Sequence, residues 1–307
     1  MVCRPLKLSY TFSIKLIQIN EKPMTQLTLT APLHLHNNQI KVLVLGCGGN
    51  GSSFIQSSLY RLHVALKGLG HPYGITAYLA DGAEVSETNV LRSAFYPTDV
   101  GINKAYLLSS RMNLSGLDTD FHAIQRNLSP NEVVQIVKDK KIDFVVGAVD
   151  DAQFRANLVK ACKQAKKNSP YGFSSSDCMY LDMGNAASSG QVILGHLFKN
   201  SDHHSHYIPN VYDLFTDIEN VITDKTRSCS ARESFDQQGV LVNQQCALLA
   251  GRLLNDYLTK PDLEHHGYMF DFDKGSMSPI KANTTNWLIY GYVSPEEQEQ
   301  KSKAIAV

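Results

Sequence analysis

The sequence predicts an α/β fold, a mostly parallel sheet with flanking helices and a C-terminal mixed extension of strands and helix. Three observations carry this prediction. Short apolar runs that suit buried strands alternate with segments whose apolar residues recur at helical spacing. A glycine-rich junction, Gly46-Cys-Gly-Gly-Asn-Gly51, joins the first such strand to the first such helix. Two of the strands run into acidic residues, Asp81 and Asp150, where an α/β sheet presents its ligand-binding edge.

Taken in order, Lys41–Leu45 is a continuous apolar run bounded by glycine, as expected of a strand covered on both faces. Residues 52–69 place Phe54, Ile55, Leu59, Leu62, Leu66 and Leu69 on one helical face, with Gly70 as a stop. Ile75–Ala80 is the second strand, Lys104–Met112 a helix, Asp120–Ala123 a short strand and Asn131–Lys138 a helix. Ile142–Val149 is a strongly apolar strand and Ala152–Lys166 the helix behind it. Tyr180–Asn185 and Gln191–Leu194 suit two further strands, residues 199–230 a polar crossover loop, and Ala231–Tyr257 a long helix. Gly267–Pro279 and Trp287–Tyr292 suit short strands joined by turns. No linker composition interrupts this, so one domain is expected over 24–295, its nucleotide-binding part over about 40–195 and its C-terminal helix and strands over about 231–295. Residues 1–23 are expected to be an extension, disordered or contributed by an upstream start codon, and 296–307 a tail.

Composition narrows the function classes. The 307 residues carry 29 basic and 29 acidic side chains, with 43% hydrophobic and 19% charged residues, so a disordered or collagen-like chain is excluded. A zero net charge argues against broad attraction to nucleic acid or membrane surfaces, and neither is expected as a partner. No apolar run approaches the roughly 18 residues that cross a bilayer. The six cysteines form no CxxC pair, which fits a reduced, cytoplasmic protein and not a disulfide framework.

Gly46, Gly48 and Gly51 match GxGxxG between a strand and a helix, the context in which backbone N–H groups and the helix dipole meet a phosphate. The alternative is a tight strand–helix turn without a ligand. Asp81 stands where a ribose-binding carboxylate belongs, and NAD and ATP both have a ribose to place there. About twenty residues then precede Lys104, and they carry Asn89, Arg92 and Gly101. An amide, a guanidinium and an ammonium in one polar loop can clamp a triphosphate, although a solvated loop would hold the same residue types.

The ordered set Gly46-Cys-Gly-Gly-Asn-Gly51, Asp81, Asn89-Val-Leu-Arg92, Phe95 and Val100-Gly-Ile-Asn-Lys104 resembles the ThiF/MoeB and ubiquitin-activating-enzyme superfamily. Ala148-Val-Asp-Asp151 followed by Arg155 looks like a further element of that family. The resemblance covers about 40–195 and is greatest to the ThiF-type proteins of PRTRC plasmid gene clusters. It implies a Rossmann-like fold and ATP-dependent adenylation of the C-terminal carboxylate of a ubiquitin-like protein or peptide, by an enzyme that is usually a homodimer. By resemblance, Gly46, Gly48, Gly49 and Gly51 pack on the nucleotide and Asp81 holds the ribose. Asn89, Arg92 and Lys104 bind phosphates, and Asp150 binds Mg²⁺; the alternative role for Asp150 is an N-cap for the following helix, and it could serve as both.

There are departures from the family pattern. The family's second strand-end acid is Ala83, followed by Glu84, and the glutamine after its arginine is Ser93. The paired CxxC of its zinc-binding members is absent, so no structural zinc is expected. Arg4 is the only arginine before Arg61, which puts a phosphate-binding arginine from a partner's N-terminus in doubt. His203, His204 and His206 suit a polar loop better than a metal site. Cys229, in Arg227-Ser-Cys-Ser-Ala-Arg-Glu233, sits where a basic setting at a helix start would lower a thiol pKa. It is either a thioester nucleophile or an ordinary half-buried cysteine, whereas Cys246 belongs to the core. An NAD-dependent oxidoreductase and a non-catalytic nucleotide-binding scaffold are the competing readings of the whole chain.

Overall fold

The computed structural model describes residues 31–115, 118–168, 178–198, 207–215 and 241–293. The chain enters through α1 (His34–Asn37) and β1 (Ile40–Leu45), then a helix in three parts: α2 (Gly49–Ser53), a π-helical stretch Phe54–Leu59, and α3 (Tyr60–Gly68). β2 (Ile75–Ala80), α4 (Glu87–Arg92), a 3₁₀ turn Pro97–Asp99, α5 (Lys104–Asn113) and β3 (Asp120–Ile124) follow. Next come α6 (Pro130–Lys140), β4 (Phe144–Gly147), α7 (Ala152–Asn168), β5 (Met179–Asn185) and β6 (Ser189–His196). The described chain closes with α8 (Val211–Leu214), α9 (Val242–Thr259), β7 (His265–Asp271), β8 (Ser276–Lys281) and α10 (Thr284–Ile289).

The eight strands form one sheet in the order β3-β2-β1-β4-β5-β6-β7-β8. The first five are parallel, and β6, β7 and β8 extend the sheet antiparallel. In the central parallel strands almost every side chain is buried, as helices on both faces require. Register fixes the site. Leu45 pairs with Ala80 on one side and with Gly147 on the other, so the last residues of β1, β2 and β4 lie abreast. The chain leaves β1 toward β2 and β3, then returns to lay β4 and β5 on the opposite side. The switch point between β1 and β4 opens a crevice beyond those three strand ends.

The C-terminal half covers this sheet. Cys246, Leu249, Ala250, Leu253 and Leu254 of α9 are buried at helical spacing, and the helix packs on β5, β6 and the π-helical stretch. Burial pushes the Cys246 thiol up to about 12, so it is protonated core. The described part of the long expected helix begins at Val242; 231–240 lie outside the described residues, as do 1–23, 296–307, His203, His204, His206 and Cys229.

Three expectations are corrected. The first helix starts at Gly49 and not at 52, since the glycine junction already takes helical geometry and contributes the first turn. Trp287–Tyr292 is not a strand. Asn283 caps α10 by accepting from the Asn286 N–H, which commits the segment to a helix and buries Trp287. Within the expected crossover loop, residues 207–215 are packed structure: Asn210 caps α8, donates to the His196 carbonyl, and sits beside buried Ile208, Val211 and Leu214.

Trp287 also locks the extension to the sheet. Its Nε1–H donates to His266 Nε2 at 2.8 Å, so the imidazole proton resides on Nδ1, 2.8 Å from the Leu194 carbonyl. Full burial lowers the His266 pKa to about 4, with the Leu194 bond opposing and His265 assisting. An unfolded histidine titrates near ~6.5, so its unfolded state binds more protons between those values. Stability from this group is complete above pH ~6.5 and declines as pH falls toward ~4, by about 3 kcal/mol in all. Urea denaturation across that range, compared with His266→Leu, is expected to show the wild-type slope steeper by one proton; equal slopes would refute this.

Candidate functional site

The crevice beyond β1, β2 and β4 is a cleft of about 350 Å³, within the usual range for small-molecule sites. Its floor is the glycine junction. Gly46 has φ +87°, a conformation that strains any other residue, and a Cβ there would stand 2.8 Å from the Ala148 carbonyl oxygen. A Cβ on Gly51 would collide with the Gly46 carbonyl oxygen, so the turn closes only with glycine at both ends. Gly48 has open space where its Cβ would be and lines the cleft. Gly49 instead faces Asn243 of α9. The junction therefore presents bare backbone at the start of a helix, the geometry that receives an anionic ligand.

Asp81, at the end of β2, braces this floor. One carboxylate oxygen accepts from the Cys47 N–H at 2.7 Å and the other from the Ala83 N–H at 2.8 Å. Each oxygen keeps a further lone pair for a ligand hydroxyl. Lys104 opens α5 and is brought beside Asp81 by backbone pairing: its N–H donates to the Ala83 carbonyl at 3.0 Å. Asn103 completes the link. It caps α5 by accepting from the Tyr106 N–H, and its amide donates to the Asp81 and Ala83 carbonyls at 3.1 and 3.3 Å. The Asp81 and Lys104 side chains line the cleft, and both influence the buried Cys47 thiol. Burial chiefly, then Asp81, pushes that thiol well up against the opposing pull of Lys104, so Cys47 is a neutral packing group.

The third wall is the turn after β4. Asp151 caps α7, accepting from the Gln153 and Phe154 N–H groups at 2.9 and 3.1 Å. The capping alternative considered for Asp150 therefore falls to its neighbour. Asp150 is exposed at the cleft and makes no side-chain hydrogen bond among the described residues. One turn on, Arg155 forms a buried pair with Asp182 of β5, its Nη1 lying 3.0 and 3.2 Å from the two carboxylate oxygens. Tyr180 donates to the same carboxylate at 3.0 Å, and the Asp182 charge raises the arginine pKa against the effect of burial.

The cleft thus assembles Gly46, Gly48, Asp81, Lys104 and Asp150. Asn89 lies outside it, with its amide oxygen accepting from the Ser86 N–H and hydroxyl in a capping box at the start of α4. Arg92 is the last residue of α4, and its side chain lies outside the described set. Sequence reasoning passed over Asn103, and also Asn127, Leu128 and Phe154, which line the cleft from the β3–α6 connection and α7. Asn127 accepts from the Gly82 N–H at 3.0 Å, and Leu128 and Phe154 give the cleft an apolar side. Asn103 had a local signal, an amide directly before a helical pattern; the other three had none.

The chain matches the ThiF family over residues 33–285 and belongs to that family. Among solved structures it is similar to PaaA, with 16% identity over 80% of this chain and 64% of that one at a TM-score of 0.52. It is similar to E. coli MccB with ATP, with 18% identity over 81% of this chain and 65% of that one at a TM-score of 0.51. A further structure of E. coli MccB gives 17% identity over 81% and 63%, at a TM-score of 0.53. The chain thus spans just under two thirds of the length of these proteins, and at such identity the shared feature is the Rossmann-like fold. No curated protein sequence matches it. Among the described residues no helix is long and apolar enough to cross a membrane, and no group of three or more His, Cys, Asp or Glu side chains is placed to hold a metal ion.

Proposed function

We propose that this ThiF-family chain is an ATP-dependent adenylating enzyme acting on the C-terminal carboxylate of a ubiquitin-like protein or peptide. One observation carries the reading. A bare-backbone helix start, a ribose-height carboxylate, an ammonium and a carboxylate without a hydrogen-bond partner among the described residues meet in one crevice at the switch point of the sheet. The solved complex of E. coli MccB with ATP supports ATP as the nucleotide.

In this reading the junction from Gly46 to Gly51 receives the phosphates, Asp81 the ribose hydroxyls, and the side of Leu128 and Phe154 the base. The acceptor carboxylate attacks the α-phosphate and pyrophosphate leaves, so the protein's task is alignment and charge neutralisation. Lys104 supplies positive charge near the α-phosphate, and Arg92 with it. The free Asp150 carboxylate suits Mg²⁺, a hard cation bound through one or two carboxylates together with substrate phosphates. Cys229 is proposed to take the acyl group as a thioester, releasing AMP. The loop variant favours the PRTRC-type branch of the family, the sparse cysteines without a CxxC pair favour a reducing cytoplasm, and the family resemblance favours a homodimer. Ala83 in place of an acid, and Ser93 in place of the family's glutamine, its buried hydroxyl without a hydrogen-bond partner among the described residues, favour a second reading, a nucleotide-binding scaffold without turnover.

Exchange of labelled pyrophosphate into ATP separates the two. Exchange is expected only with an acceptor bearing a free C-terminal carboxylate and is expected to vanish on C-terminal amidation. ATP binding without exchange for any ubiquitin-like or peptide acceptor would leave the scaffold, and preferential binding of NAD would leave the oxidoreductase. Intact mass spectrometry is expected to show a thiol-labile adduct that Cys229→Ser abolishes while exchange persists.

A further inference from the structure

The segment that follows Arg92 is held by the helix that follows the glycine junction. Ala94, two residues beyond Arg92, has both backbone polar groups taken by side chains of that helix. Its N–H donates to Ser52 Oγ at 3.2 Å, and its carbonyl accepts from Gln56 Nε2 at 2.6 Å. Ser52 and Gln56 stand four residues apart and so share one helix face. Gln56 is oriented in turn, because Arg111 Nη1 donates to its Oε1 at 3.3 Å and reaches the Ala94 carbonyl at 3.5 Å. Arg111 is fixed by a two-pronged pair with Asp99 at 2.8 and 2.9 Å and lies over the Tyr96 ring at 5.1 Å. Asp99 accepts from the Tyr96 N–H at 2.7 Å, and Phe95, between Ala94 and Tyr96 in the chain, is buried.

We propose that Ser52, Gln56 and Arg111 are positioning residues that hold the segment just after Arg92, and through it the end of α4, in register with the glycine junction, so that phosphate contacts from both arise from one rigid unit. This rests on the nucleotide reading above. Arg92 ends the short helix α4, and the segment between α4 and the 3₁₀ turn has little regular structure of its own, so without an anchor there the helix end and its arginine would lose conformational entropy at each binding event. With both polar groups of Ala94 occupied from the phosphate-side helix, that ordering is already present in the fold. The ion pair with Asp99 keeps Arg111 from competing for the ligand.

The clamp acts on phosphates and not on the base, which gives the test. Isothermal titration of the full chain with Mg-ATP and with adenosine is expected to show Gln56→Leu binding ATP about tenfold more weakly, with adenosine unchanged. Ser52→Ala is expected to act in the same direction with a smaller loss, and it serves if Gln56→Leu folds poorly. In an Arg92→Ala background, Gln56→Leu is expected to add no further loss. Equal weakening of adenosine and ATP, or a Gln56→Leu effect undiminished without Arg92, would overturn the clamp. If the wild type binds ATP and neither variant changes it, the clamp alone falls; if the wild type binds neither ligand, the nucleotide reading falls with it.

Discussion

Lys104→Ala is expected to lower adenylate formation by about 10²–10³-fold while leaving the fold intact, as loss of one preorganised charge-stabilising group does elsewhere. The side chain lines the cleft and makes no hydrogen bond among the described residues, so its removal orphans nothing in the core. Its position is set by backbone, through the Lys104 N–H on the Ala83 carbonyl and the Asn103 cap, and those contacts survive the substitution. The loss should therefore appear as a fall in the turnover rate of pyrophosphate exchange with a smaller change in ATP affinity, the pattern of charge that matters most at the transition state. Lys104→Arg keeps the charge on a longer, planar group and is expected to recover only part of the rate. A Lys104→Ala protein with the wild-type melting temperature and wild-type exchange would remove Lys104 from the chemistry.

The parts of this site legible in the sequence were those written in local pattern. β2 falls at Ile75–Ala80 as the alternation of elements predicts, and Asp81 follows it at the sheet edge because strand length and turn chemistry are local. The glycine junction was legible because Gly46 and Gly51 meet a backbone constraint that few residues satisfy. The choice between Asp150 and Asp151 as helix cap was not, since it turns on where α7 starts to within one residue. Asn89 shows a different limit. Its motif position points to phosphate, and the structure gives its amide oxygen to Ser86 three residues away, a capping task that does not compete with phosphate binding by the amide N–H groups and that residue type alone does not reveal. Gln56 and Arg111 were invisible for a third reason, because their partner is the backbone of Ala94, tens of residues away in one case.

A long separation in sequence also lies between the two residues that hold Asp150 in place. Arg155 lies one turn into α7 and Asp182 on β5, and together they tie the turn carrying Asp150 to the strand beside it. Asp182 is fully buried and Arg155 nearly so, with the arginine Nε already lacking a partner among the described residues. Asp182→Ala would therefore leave a buried guanidinium uncompensated and take the acceptor from the Tyr180 hydroxyl as well. Removing one partner of such a pair costs about 3–5 kcal/mol, far more than the net worth of the intact pair. At about 2–4 °C per kcal/mol for a domain of this size, a fall in melting temperature of roughly 10 °C is expected. Asp182→Asn keeps the shape and one acceptor oxygen and should cost less, while the double change Arg155→Leu, Asp182→Leu removes both charges and should recover much of the loss. Because α7 begins at the lip of the cleft, the single variant is also expected to weaken Mg-ATP binding at temperatures where it is still folded. A double variant that restores stability without restoring nucleotide affinity would assign the pair a second task, aiming the Asp150 turn, beyond holding α7 on the sheet.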